Sequence, residues 1–341
     1  MSTALDDFVA MGVETTFGTQ VTPTRAYPWV DGTEGDWLPQ IRQGAGVFGG
    51  LGRTTIRASR VFLASGRGAI TLKAELETRA GGMLYDAAFG VNTVTAITGG
   101  SVQIFHPGVT NLVLPSRTIQ LAKVLNDGSR RVETWRGCTA MKWVIEQPEN
   151  GIPTIEVEFD CLGYTTATAA ITPSYATTSN LFDAMHATVG YGGTLTAPTG
   201  STVASGLTAV GNWRTFKLEF DQAGNDDGWV LNGGVRTQPK VGAPPPPKLT
   251  GTVEFSDNVI PDAYVAGTKS PWYAQWQHPT EVVGVVPALL QIVAPSVMWS
   301  KGIPQVNAGE APRTYPVEGM VLNDGTNRDL LLVSRTQDTA I

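Results

Sequence analysis

Apolar and polar positions alternate most regularly at Ile70, Leu72, Ala74 and Leu76, which are separated by Thr71, Lys73 and Glu75 and followed by Glu77. A period of two places one set on a buried sheet face and the other in water. A second apolar run lies on the far side of Ser65-Gly66-Arg67-Gly68, so the pattern predicts a half-buried β-hairpin over Thr54–Thr78 turning at those four residues. Residues 80–90 switch to helical spacing, with Leu84, Ala87 and Ala88 on one side and Gly90 where a left-handed cap would stop a short helix. Residues 1–52 hold no sustained period of either kind and read as an extended N-terminal arm.

Strands are predicted near 117–125 and 130–146, and the second of these opens a hairpin whose register can be derived. For the apolar faces to coincide, Met141, Trp143 and Ile145 must oppose Phe159, Val157 and Ile155, so paired residue numbers sum to 300. An even sum requires an odd loop, Glu149-Asn150-Gly151, with Gly151 available for a left-handed position. The polar face then carries Glu156, Glu158 and Asp160, with Glu146 across the hairpin and Lys142 opposite Glu158. In this register Cys138 and Cys161 point to opposite faces, which argues against a disulfide.

Residues 165–212 are rich in Thr, Ala, Ser and Gly and contain no Lys or Arg. They read as a connection holding one short segment, Leu181 to Ala187, between a first β-domain at 53–164 and a second at 213–341. The second restarts with the strand Trp213–Asp221 and continues after Pro244–Pro247 with Lys248–Phe255. Aligning Thr71–Gly90 with Lys248–Gly267 without gaps superposes Leu72, Ala74 and Leu76 on Leu249, Gly251 and Val253 and ends both on glycine. Ile119-Gln120-Leu121 has a downstream counterpart in Leu290-Gln291-Ile292, and the common order points to an internal duplication.

Composition narrows the class: 42% hydrophobic and 16% charged residues suit a folded chain, and 39 glycines and 22 prolines among abundant Thr and Val suit strands joined by turns. The net charge of −6 argues against gripping phosphate backbones, which needs clustered bases. No apolar run reaches a membrane span, and the opening residues lack the pattern of a signal peptide. His106, His186 and His278 fit no metal or triad spacing, and no catalytic residue, cofactor or metal site is expected. Gly44-Ala45-Gly46-Val47-Phe48-Gly49 matches a dinucleotide fingerprint in letters alone, since no hydrophobic strand precedes it and Gly50-Leu51-Gly52 follows instead of a helix. The acidic loop at Asp221–Gly228 lacks calcium-loop spacing. Charge is segregated, however. Residues 1–40 carry Asp6, Asp7, Glu14, Asp31, Glu34 and Asp36 against Arg25, whereas residues 41–80 carry Arg42, Arg53, Arg57, Arg60, Arg67, Lys73 and Arg79 against Glu75 and Glu77. Neighbouring segments of opposite sign suit head-to-tail self-assembly.

Several segments resemble one family in order along most of the chain. Gly12-Val13-Glu14-Thr15-Thr16-Phe17-Gly18-Thr19 and Tyr27-Pro28-Trp29-Val30 are similar to the start of tail tube proteins from siphophages and related prophages. The Gly-rich lead into Arg53, Gly81–Gly90, the segment around His106 and Trp135-Arg136-Gly137-Cys138 continue the resemblance. It implies a mainly β, tail-tube-type sandwich or barrel with a short flanking helix, whose inner sheets join those of neighbouring copies around a channel. It further implies a structural virion protein of the tail, assembled in the host bacterial cytoplasm. Its partners would be copies of itself, in rings of six or of three duplicated chains, with tape measure, tail terminator and distal tail proteins. DNA would pass without specific binding. On this view Glu146, Glu156, Glu158 and Asp160 face the lumen, and Asp31, Glu34 and Asp36 meet Arg53, Arg57, Arg60 and Arg67 between rings. The alternative is a receptor- or carbohydrate-binding tail fibre or decoration module, with a sugar platform drawn from Trp229, Trp272, Tyr273, Trp276 and Trp299.

Overall fold

Two successive sets of strands follow one another along the chain with the same pairing scheme. The computed structural model describes residues 7–28, 30–43, 61–108, 113–210, 212–225, 228, 236–304 and 313–341. The first set comprises β1 (Phe8–Val13), β2 (Arg25–Pro28), β3 (Glu34–Gln43), β4 (Val61–Glu75), α1 (Gly82–Phe89), β5 (Gly90–Ile97), β6 (Gly100–Pro107), β7 (Ser116–Val124), β8 (Arg130–Gln147), β9 (Thr154–Cys161) and β10 (Gly163–Thr165). The second comprises β11 (Ala187–Thr196), β12 (Ser205–Ala209), β13 (Trp213–Asp221), the short pair β14 (Gly224–Asn225) and β15 (Lys240–Val241), β16 (Lys248–Glu254), α2 (Val259–Ala266), β17 (Lys269–Val283), β18 (Val286–Lys301), β19 (Thr314–Val321) and β20 (Leu331–Thr336). The chain is mainly β, as the turn-rich, β-branched composition predicts.

Pairing order in the first half is β2–β1–β7–β8–β9–β4–β3, with β10 continuing along β8. In the second half it is β12–β11–β17–β18–β19–β16–β13, with β20 along β18. The duplication is therefore one of topology, and the predicted superposition of Thr71–Gly90 on Lys248–Gly267 falls on equivalent elements. Both helices are eight residues long and both end on a left-handed glycine, Gly90 with φ 90° and Gly267 with φ 63°. Leu72 and Leu249 are fully buried at corresponding places. The second match does not hold, because Ile119–Leu121 lies in β7 and Leu290–Ile292 in β18, whose counterpart is β8. Alternating strands resemble one another too closely for three residues to choose between neighbours. Among the described residues the hairpin β5–β6 is present in the first half alone, and it pairs through β6 with β20.

The halves join into one sheet. Gln147 to Lys142 of β8 pair with Phe216 to Asp221 of β13, giving an unbroken antiparallel run β3–β4–β9–β8–β13–β16–β19–β18. Behind that seam Trp143 stacks on Phe89 of α1 at 4.5 Å and meets Phe220 at 5.7 Å, while Phe216 packs on Trp272 and Trp276 at 5.4 and 5.6 Å. The buried Trp276 indole N–H also donates to Gln147 across the halves at 2.7 Å. The predicted loose connection at 165–212 thus ends in strands β11 and β12, and the cores of both halves form one cluster.

Four local expectations change. The stretch read as an extended arm begins with a core strand: Phe8 to Met11 are buried, and β1 pairs with β2 and β7. Ser65–Gly68 is no turn but the middle of β4, whose hairpin partner is β3. A side chain at Gly66 would occupy the ring of Trp37, and one at Gly68 the ring of Trp135, so these glycines serve close packing and not chain reversal. In the β8–β9 hairpin the pairs from Lys142↔Glu158 to Glu146↔Thr154 sum to 300 as derived, and Gly151 keeps a negative φ. Beyond them, Ala140 pairs with Phe159, so Met141 is an extra residue. That bulge reverses the parity of everything before it and brings Cys138 onto the same buried face as Cys161, with which it forms a disulfide. Denatured, unreduced protein should consequently show no reactive thiol and, after reduction, both; two thiols without reductant would refute the bridge.

Candidate functional site

The inner side of the eight-stranded run is core and its outer side is the candidate channel wall. Period two puts Lys73 of β4, Glu156 and Glu158 of β9, Lys142 and Glu146 of β8, and Lys217 and Glu219 of β13 on that outer side, because their neighbours Leu72, Val157, Trp143, Ile145 and Leu218 are buried. Lys248 of β16 and Glu318 of β19 continue it into the second half. The three-carboxylate cluster predicted from the hairpin is thereby diluted by bases from strands distant in sequence. Lys142 lies 3.7 Å from Glu158 and 2.7 Å from Glu219, Lys217 lies 3.9 Å from Glu219, and Lys248 lies 3.4 Å from Glu318. Lys73 sits directly opposite Glu156. The hydrogen bond between Lys142 and Glu219 raises the lysine's pKa and lowers the glutamate's. Such half-exposed pairs contribute about 0–1 kcal/mol each. Glu146 and Glu158 remain exposed and Glu156 half-buried, so the face is a mixed ladder in which carboxylates outnumber bases.

Asp160 does not belong to the exposed set. Its side chain points to the same side as Glu158 but is 2% exposed. Arg236, itself 3% exposed, lies over it with Nη1 donating to Oδ1 at 2.8 Å and a second contact from Nη2 to Oδ2. Arg67 adds a third, Nε to Oδ1, at 2.9 Å. The hairpin fixes the direction of Asp160, while its burial comes from a residue 76 positions away.

The candidate assembly arm is β3–β4. Cys161 of β9 pairs with Gly68, and from there toward Val61 β4 has β3 as its partner. Trp37 anchors the base, packed against Trp135 and Tyr164 with ring centroids at 6.3 and 5.9 Å. Farther out Leu38, Ile41, Val61 and Leu63 are exposed. Of the residues expected between rings, Asp31 in the turn before β3 and Glu34 and Asp36 at its start are exposed, and Arg67 is engaged with Asp160 in the same subunit. Arg53, Arg57 and Arg60, like Gly44–Gly49 and Trp229, lie outside the described residues. The sugar platform is not available as proposed: Trp272 and Trp276 are fully buried, Trp299 is 2% exposed and Tyr273 half-buried.

One residue that chemistry-led reading passed over organises two of the quoted segments. Glu14, 7% exposed, accepts hydrogen bonds at Oε2 from Gly18 N–H and Ser116 Oγ, both 2.9 Å, and at Oε1 from Thr118 Oγ1 and Gly137 N–H, both 2.8 Å. It ties Gly12–Thr19 to Trp135–Cys138 and to β7. The available signal was a lone acid directly after the apolar run of β1. Among the histidines, His186 and His278 have ring centroids 5.1 Å apart, and the His278 Nδ1 accepts from the Glu281 N–H at 2.9 Å. Burial and the neighbouring His278 lower the pKa of His186. Among the described residues no group of three or more His, Cys, Asp or Glu is placed to hold a metal ion.

Residues 5–311 match the sequence model of a family described as phage tail tube protein. No curated protein matches the chain.

Proposed function

The chain belongs to the phage tail tube protein family, and from that premise we propose that it is the tube subunit of a long, non-contractile tail, assembling in the host cytoplasm into stacked rings around the path of DNA. The observation that carries this reading is the sheet running unbroken through both halves, with one face in the core, one face in water, and, among the described residues, an edge without a strand partner along β3 and at the last residues of β18. A sheet with open ends is an aggregation hazard in a lone subunit and a joining device in a ring. Two equivalent halves per chain would let three copies supply six repeats. The exposed ladder then lines the lumen, where an excess of Glu over Lys repels a polyanion while cross-strand pairs keep the wall folded. The exposed apolar end of β3–β4 reaches the next ring, and the tape measure, terminator and distal tail proteins meet the tube inside and at its ends.

Electron micrographs of the concentrated protein, alone or with a tail initiator complex, are expected to show hollow filaments. A persistent discrete oligomer under both conditions would refute the proposal.

Replacing Glu156 and Glu158 together by Lys leaves the buried face untouched and should leave assembly nearly intact. The added bases create phosphate contacts that release counterions, so DNA ejection slows at low salt. Near 1 M salt, where screening shortens to about 3 Å, most of the delay should disappear. Mutant tails ejecting at the wild-type rate at low salt would put this face on the outside of the tube.

A further inference from the structure

The repeat inside the chain contains a pattern for a contact between chains. At the internal seam Lys142 pairs with Asp221, Trp143 with Phe220 and Val144 with Glu219. In the duplicated topology β18 occupies the place of β8, and β3 the place of β13. Two independent registers align them. Trp143 opposes Val157, which opposes Leu72, while Trp299 opposes Gly319, which opposes Leu249. Glu219 opposes Lys248, while Glu34 opposes Thr71, and Thr71 and Lys248 are the superposed starts of the repeat.

The counterparts of the seam's two strands are the open ends of the sheet. Among the described residues β3 pairs with β4 alone, and past Met298, where β17 ends, β18 has β19 on one side and no strand on the other. We propose that the end of β18, from Trp299 onward, pairs antiparallel with β3 of a second copy of this chain, Trp299 opposite Gly35, repeating between subunits the seam that joins the halves within one. The inference rests on the tube reading and deepens it by naming the occupant of each edge. A contact between two different surfaces of the same chain is head-to-tail, the kind that closes rings. Its charges are complementary: Asp31, Glu34 and Asp36 are exposed on one side, Lys269 and Lys301 on the other, Lys301 also lying 3.8 Å from Glu318 of its own chain. Glu34 and Asp36 are thereby assigned to a contact within a ring, in place of the contact between rings expected from charge segregation.

The test is disulfide trapping. A register shift between Trp299 and Lys301 leaves one extra residue there, so Glu34→Cys is combined with Ser300→Cys in one variant and with Lys301→Cys in another. Directly opposed residues on antiparallel strands have Cβ atoms about 4.5–5.5 Å apart, within reach of a bridge. The native cysteines are fully buried and joined to each other. On oxidation, assembled protein of at least one variant should run as covalent dimers and larger multimers on a non-reducing gel, and unassembled protein as monomer. If neither variant assembles, hydrogen exchange of wild-type protein decides: peptides covering 31–43 and 299–304 should both become protected on assembly, and unchanged exchange there overturns the inference. Assembled variants without a cross-link overturn it while leaving the tube reading intact. Wild-type protein that never assembles overturns both.

Discussion

Asp160→Ala is expected to cost the folded subunit about 3–5 kcal/mol, because it removes the carboxylate that balances a buried guanidinium. Arg236 is 3% exposed and directs two nitrogens at the Asp160 carboxylate, whereas Arg67 is partly solvated and can turn outward. The loss therefore belongs to Arg236. Asp160→Asn should fall nearly as far, since an amide offers one acceptor oxygen where two are used and no charge to balance the cation. The paired replacement Asp160→Leu with Arg236→Met should recover most of the loss, because a buried ion pair replaced by apolar groups of similar volume is often close to neutral. Urea unfolding of the three variants checks this. A loss below 1 kcal/mol for Asp160→Ala would mean that Asp160 is hydrated and belongs to the exposed wall after all.

Glu14→Gln, nearly isosteric, is expected to destabilise almost as much as Glu14→Ala, on the order of 2–4 kcal/mol. Each carboxylate oxygen of Glu14 accepts one hydroxyl and one backbone N–H: Ser116 with Gly18 at one oxygen, Thr118 with Gly137 at the other. Hydroxyls can rotate and accept. Backbone N–H groups cannot, so whichever oxygen becomes an amide nitrogen sets donor against donor at Gly18 or at Gly137. Moving Gly137 is not open as relief, since its φ of 61° already occupies the left-handed region. Chemical denaturation reads the loss, and hydrogen exchange should locate it at the Gly18 and Gly137 amides. A Gln variant as stable as wild type would show that these donors find other acceptors.

What could be read in advance was local. Ile70, Leu72, Ala74 and Leu76 reveal their face by period alone, Gly90 ends its helix by its own conformational freedom, and Trp143 opposite Val157 follows from matching two apolar faces across a short loop. The duplication was legible in the same way, through Leu72 and Leu249 and the two terminal glycines. The misreadings share a different cause: each depended on a residue far along the chain. Gly66 and Gly68 resemble a turn until Trp37 and Trp135 are seen lying over them. Asp160 resembles a surface acid until Arg236 covers it. Cys138 is misdirected by one bulged residue, Met141, which leaves the alternation of its neighbours intact and so sends no signal. The exposed face of the hairpin was legible only as far as Glu146, Glu156, Glu158 and Lys142, because Lys217 and Lys248 reach it from strands whose pairing with β8 and β19 no local pattern announces.

The hairpin β5–β6, found once among the described residues and laid against β20, makes the two halves unequal on one side of the molecule. The strand framework that runs from β3 to β18 repeats with each half, so a ring of whole chains would present the same backbone pattern to its axis every half chain. The side bearing the hairpin repeats only once per chain. Such a ring has two periodicities at once: a finer one toward whatever passes through it, and a coarser one, with half as many identical positions, toward whatever binds its exterior.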